Sequence, residues 1–225
     1  MLRHIWRALL VVCIGATLCM GGAFAEESAV IIEAIEVPAV GMYIGPTVDS
    51  AGEGYGWLKW DDGREFTGHV SDSWPDGIGI LKNTHSKDTR YFIAVWKEKV
   101  MNGPAILLND DFVPLWVIAY ENDKMVETIV ENPKEQNSID VTYGDYRITI
   151  SKGQLTRLYQ LEDGKAVRFA HLYSEGYIYV GEGNDNAERE GKGVGYWFKK
   201  NLLELGEFVG KELAPEPTGI TWKIE

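Results

Sequence analysis

Past residue 25 the chain contains no cysteine, because both of its cysteines, Cys13 and Cys19, stand near the start. No disulfide can staple the remainder, which must be held by an apolar core and a ladder of backbone hydrogen bonds. Positive charge is scarce as well. Without Arg3 and Arg7, Lys plus Arg falls from 22 to 20 against 34 Asp plus Glu, a net of −14. A chain this acidic repels nucleic acid and argues against binding to anionic membranes. Beyond the first residues no apolar run reaches the roughly 20 residues that a bilayer span takes. The sequence has no Gly-x-Ser-x-Gly elbow and no phosphate-binding Gly-x-x-x-x-Gly-Lys-Ser/Thr loop. His69, His85 and His171 lie far apart without ligand spacing, and no cysteine is available to complete a zinc site. These absences predict no cofactor, no metal and no recognisable catalytic constellation.

What is present begins with a targeting pattern over residues 1–25. Arg3 and Arg7 precede an apolar run from Ala8 to about Leu18, and Ala23-Phe24-Ala25 reads as a signal-peptidase site before Glu26. An exported protein, periplasmic or secreted, is the expectation. Val12 and Leu18 precede the two cysteines where a lipoprotein would need small residues, so lipidation is not expected. Residues 26–42 then form a leader or a capping strand, with Pro38 at its boundary.

From residue 43 a phrase repeats. Aromatic residues stand at Tyr43, Phe66, Tyr91 and Trp116 and again at Tyr179, with Glu204 in the corresponding place of the last unit. Two positions on are Gly45, Gly68, Ile93, Ile118, Gly181 and Gly206. Later in each unit come Gly54 with Gly56, Gly77 with Gly79, Gly103 with Ala105, Gly193 with Gly195, and finally Gly219 alone. A period near 25 residues with two β-rich segments and a polar turn describes one β-hairpin per unit. A lone hairpin is marginal in water, so consecutive hairpins must pair and bury a shared face. Glycine inside a strand leaves a groove across which a neighbouring aromatic ring can lie. The expected fold is all-β, an elongated antiparallel sheet of stacked hairpins.

This pattern resembles the MORN repeat (membrane occupation and recognition nexus), here of an exported bacterial type. The residues carrying the likeness are Tyr43, Gly45, Gly54 and Gly56; Asp62-Gly63, Phe66, Gly68, Gly77 and Gly79; Asn102-Gly103; Tyr179, Gly181, Gly193 and Gly195; and Gly206, Glu207 and Phe208. The resemblance implies a twisted sheet of hairpins with Asp-Gly or Asn-Gly turns, serving as a surface for association, and it brings no catalytic residues. It covers 43–130 and 177–225. Between them, 131–176 departs from the pattern after Asn132-Pro133. Tyr146, Ile148 and Ile150 alternate with polar residues, Lys152-Gly153 reads as a turn, and Glu162-Asp163-Gly164-Lys165 joins two strand-like runs. Degenerate repeats or an inserted segment both fit.

Three candidate sites stand out. Asp61, Asp62 and Glu65 beside Trp57 and Trp60 have the residue types of a glycoside hydrolase, but Asp62-Gly63 is better explained as a turn. Gly183-Asn184-Asp185-Asn186 with Glu188 and Glu190 has the look of a calcium loop without its spacing. The tryptophans Trp57, Trp60, Trp96, Trp116 and Trp197 are the candidate binding residues, able to fill grooves over glycine or to grip a partner. The function expected is a noncatalytic interaction or scaffold surface for an envelope or secreted protein, with self-association through edge hairpins open to it. The alternative is a carbohydrate-binding or carbohydrate-active domain using exposed tryptophans.

Overall fold

The computed structural model describes residues 32–224, apart from 39, 152–154, 185, 187, 211 and 217. The expected signal segment, the leader as far as Ile31, the Lys152-Gly153 turn and Pro217 lie outside the described residues. The fold is all-β and antiparallel, and its strands form two sheets rather than one. Sheet I holds β1 (Ile32–Val37), β2 (Gly41–Val48), β3 (Ala51–Gly52), β4 (Gly54–Trp60), β5 (Glu65–Ser71), β6 (Trp74–Lys82), β7 (Tyr91–Lys97), β8 (Val100–Leu108), β9 (Pro114–Glu121) and β10 (Lys124–Val130). Sheet II holds β11 (Ser138–Tyr143), β12 (Tyr146–Ser151), β13 (Leu155–Glu162), β14 (Lys165–Tyr173), β15 (Tyr177–Gly183), β16 (Arg189–Trp197), β17 (Leu202–Gly210), β18 (Glu212–Leu213) and β19 (Gly219–Lys223). A short 3-10 turn at Pro133–Glu135 connects them. Nearly every strand pairs with its neighbour in sequence. The residues 138–173 thus supply the first four strands of sheet II, and β1 edges sheet I with Ile35 opposite Tyr43.

Turn chemistry alternates along sheet I. Asp49-Ser50, Asp72-Ser73, Glu98-Lys99 and Asn122-Asp123 all have positive φ at both residues. That left-handed pair is what a two-residue type I′ hairpin loop requires, because its twist matches that of the strands. The intervening connections, 61–64, 83–90 and 109–113, are longer and lie at the opposite strand ends.

Period-two alternation gives each sheet an inner and an outer face. The inner faces meet: Ile44, Trp57, Ile80, Ile93, Ile106 and Val117 of sheet I pack with Ile148, Leu158, Leu172, Val180, Val194 and Leu205 of sheet II in one core. Trp57 lies 6.2 Å from Tyr196, and Tyr91 lies 5.3 Å from Phe198, ring to ring across the sheets. On the outer faces, smaller clusters gather around Tyr43, Phe66 and Trp96 in sheet I and around Phe169, Tyr177, Tyr179 and Phe208 in sheet II.

The glycines explain how rings become buried on an outer face. Register aligns Gly56, Gly68, Gly79, Ala94, Ala105 and Ile118 in one row across sheet I, with Gly45 beside Gly56. A side chain on Gly56 would run into the Tyr43 ring, and one on Gly79 into Phe66. Sheet II repeats the device with Phe169, Gly181, Gly193, Gly206 and Gly219, where the Tyr179 ring lies over Gly181 and Gly193.

Three sequence assignments shift. In the third repeat the outer-face pair is Phe92 and Ala94, because Tyr91 and Ile93 turn inward to the core; one residue of slip reverses every side chain. Asn102-Gly103 is not a turn but lies inside β8, where Gly103 takes φ +129° next to a bulge; the hairpin tip is Glu98-Lys99. Gly193 sits in the small-residue row, so the pair matching Gly54 with Gly56 and Gly77 with Gly79 is Gly191 with Gly193, not Gly193 with Gly195.

Candidate functional site

The outer face of sheet I is built from three rows. One runs Tyr43, Leu58, Phe66, Leu81, Phe92, Leu107 and Trp116. The small-residue row lies beside it. Beyond the small row, Gly77, Trp96, Met101, Gly103, Tyr120 and Met125 follow one another across β6 to β10. Toward β1 these rows are sealed: Tyr43, Leu58 and Phe66 are fully buried. Toward β9 and β10 the face opens, with Trp116 53% exposed and Met125 60% exposed while Phe92, Met101 and Tyr120 are half-buried. The seal fails there because the row of glycines has given way to Ala94, Ala105 and Ile118, whose side chains fill the groove that a ring would need.

β10 is the last strand of its sheet, hydrogen-bonded to β9, and its register shifts between Met125 and Glu127 and again between Thr128 and Val130. Val126, in the first shift, is 54% exposed. Carboxylates flank the open end: Asp110 and Asp111 in the 109–113 loop and Asp123 at the opposite hairpin tip. Asp110 already accepts a hydrogen bond from Arg90 Nε at 2.8 Å, and the Asp123 carboxylate accepts the Met101 amide at 2.7 Å.

The five tryptophans do not share one surface. Trp57 is 1% exposed in the core between the sheets, and Trp96 is 6% exposed against the Phe66 ring at 5.0 Å, so neither presents a ring to a ligand. Trp60 is half-buried with Arg64 over its face at 5.0 Å. Trp197 lies on sheet II, under Lys200 at 4.0 Å and donating Nε1–H to Glu204 at 3.1 Å. Trp116 alone among these five is exposed. Tyr120, Met125 and Val126 belong with it and were legible only in part, through the alternation of Trp116, Ile118 and Tyr120 and the Asn122-Asp123 tip.

The carboxylate cluster near Trp57 and Trp60 is dispersed. Asp62 holds the Arg64 guanidinium and amide within its own turn, at 2.9 and 3.1 Å. Glu65 faces inward instead, bonded to Lys82 at 3.0 Å, on the side of the sheet away from Trp60. No two of these carboxylates face one another across a ring. The residues around Gly183 form a self-satisfied turn: the Asn184 amide donates to Glu188 at 3.1 Å and Glu190 at 2.9 Å, and its oxygen accepts the Asn186 and Glu188 amides. Asp185 lies outside the described residues.

Glu204, which replaces an aromatic residue in its repeat, has a defined role on sheet II. It accepts from Tyr177 Oη at 2.8 Å and from Trp197, while Arg189 donates to the same Tyr177 oxygen at 2.9 Å. The Arg189 guanidinium lies 4.8 Å from the Tyr177 ring centre and 5.3 Å from that of Tyr179. The aromatic cage on sheet II is therefore occupied by the protein's own cation. No family model matches the chain, and no curated protein is similar to it.

Proposed function

We propose that the chain is an exported, noncatalytic repeat protein that holds an extended segment of an envelope protein on the open end of sheet I. The observation carrying this reading is the coincidence of Trp116, Tyr120 and Met125 with the unpaired edge of β10. An added strand would extend the ladder along β10 and lay alternate side chains against those apolar groups. The surrounding Asp110, Asp111 and Asp123 favour a partner segment with basic residues between the apolar ones. Carbohydrate recognition is the weaker reading, because Trp60 and Trp197 already carry cations over their faces and sugar platforms need free ones.

The test is retention from envelope extract on immobilised protein, comparing the native chain with Trp116→Glu combined with Met125→Glu. One protein held stoichiometrically by the native chain and released by the double variant supports the reading. Equal retention by both, or retention of polysaccharide alone, overturns it.

A further inference from the structure

At one end of the space between the sheets, away from the open face of β9 and β10, β4, β5 and β6 stand across from β14 and β15. A cleft of about 110 Å³ lies there, lined by Tyr55, His69, Asp76 and Ile78 from sheet I and by Arg168 and Val180 from sheet II. That is room for a small molecule rather than for one water. The walls are firm. Tyr55 is opposite His69 in the ladder, their rings meet edge to face at 5.3 Å, and the His69 Nδ1 bonds the Asp76 carbonyl at 3.1 Å.

The hydrogen-bonding capacity of this cleft is only partly used. Tyr55 is 8% exposed, and its hydroxyl is not met in hydrogen-bonding geometry by any described group. A buried hydroxyl in that condition costs about 1–3 kcal/mol unless something else bonds it. Burial pushes its pKa up to about 12, opposed by the charge of Arg168 and by that side chain's hydrogen-bonding approach. Arg168 itself is exposed and makes no ion pair with a described carboxylate. The Tyr55 hydroxyl and the Arg168 guanidinium are close enough to attract each other but not aligned as a good hydrogen bond, and both have donor capacity left for an oxyanion that meets them together.

Two carboxylates stand at the same end. Asp76 lines the cleft, and Glu182 lies opposite Arg168 in the ladder, with its charge reaching Tyr55. Glu182 also accepts the Lys192 amide at 2.8 Å, which holds it in position. One cation against two anions repels a polyanion. It suits a ligand carrying one carboxylate and one ammonium close together.

We infer that the inter-sheet cleft at Tyr55, Asp76 and Arg168 binds a small amino-acid zwitterion, its carboxylate on Arg168 and Tyr55 and its ammonium beside Asp76 and Glu182. This site is separate from the strand-binding edge and does not depend on it.

Titration of the isotope-labelled protein with glycine at constant ionic strength tests the inference, following the backbone amides of Gly77 and Gly181. Saturable shifts at those residues are expected. N-acetylglycine keeps the carboxylate and loses the ammonium, so it should bind more weakly, and Arg168→Gln should weaken glycine by about tenfold or more, the scale of a lost charge-assisted hydrogen bond. Tyr55→Phe should weaken glycine with little change in the stability of the unliganded protein, since the hydroxyl it removes makes no well-aligned hydrogen bond there. Arg147→Gln, at an exposed pair with Asp140 on β11 and β12, is the control and should change nothing. Absence of saturable shifts, equal binding of the two ligands, equal binding by Arg168→Gln, or a Tyr55→Phe chain destabilised without loss of glycine binding overturns the inference.

Discussion

Tyr43 is fully enclosed, yet its hydroxyl has no hydrogen-bond partner among the described groups. Its stabilising part is the ring, laid over Gly45, Gly52 and Gly56. Tyr43→Phe should therefore leave stability unchanged or raise it, whereas Tyr43→Ala should cost about 3–5 kcal/mol by opening the groove. Urea midpoints of the two variants separate ring from hydroxyl. His171 offers a second residue-scale test. It is 1% exposed, stacked on Phe169 at 4.2 Å, with Nδ1 bonded to the Tyr173 hydroxyl at 3.2 Å and Nε2 unpartnered. Burial, then the charges of Arg157 and Arg189, hold its pKa well below 6.5. The unfolded chain thus binds this proton more readily than the folded one, and the associated stability is present above pH 6.5 and lost as pH falls toward the folded-state pKa. The expected slope approaches about 1.4 kcal/mol per pH unit in that window. His171→Leu should remove that part of the dependence, as read from unfolding midpoints on both sides of pH 6.5.

At the scale of elements, the hairpin tips of sheet I share one backbone geometry but not equally suitable residues. Asn122-Asp123 accepts positive φ readily, while Glu98 at +52° and Lys99 at +77° do so against their preference. Lys99 also covers Trp74 at 4.8 Å. Glu98→Asn should leave that contact in place and stabilise the protein by about 0.5–1 kcal/mol, measurable as a shifted denaturation midpoint with unchanged slope. The same tips show what the sequence makes legible. Tyr43 with Gly45, Phe66 with Gly68 and Tyr179 with Gly181 could be read because ring and glycine are both present, and each ring needs the groove. Tyr91-Phe92 could not, since two adjacent aromatics fit either face and no glycine broke the tie. Glu98-Lys99 was hidden because neither residue advertises a left-handed turn, whereas Asn102-Gly103 advertises one that the strand uses as a bulge. The exposed end at Trp116 and Met125 was hidden for a related reason: exposure there follows from what Ala94, Ala105 and Ile118 fill, on that strand and the two before it.

For the whole molecule, the division into two sheets lay beyond what repeat spacing could show. Pairing between adjacent strands is local in sequence, but the facing of Trp57 on Tyr196 and of Tyr91 on Phe198 joins residues more than a hundred positions apart. Because the core between the sheets draws on both, the two should unfold together. Near-ultraviolet and far-ultraviolet circular dichroism are expected to report one coincident transition. A chain ending after Val130 should fail to give a near-ultraviolet signal, since Trp57, Ile80, Ile93 and Ile106 would face water.

The strand order has a mechanical consequence. Among the described residues, the outermost strand β1 is the first in sequence and the outer strands β18 and β19 are the last two, and pairing follows the chain between them. Backbone bonds of antiparallel strands lie across the strand direction. A pull applied to the two ends of the described chain therefore meets each ladder at its edge and loads its bonds one pair at a time. Under tension the molecule is expected to unzip at low force, hairpin after hairpin, in single-molecule pulling, while heat and denaturant unfold it as a single block.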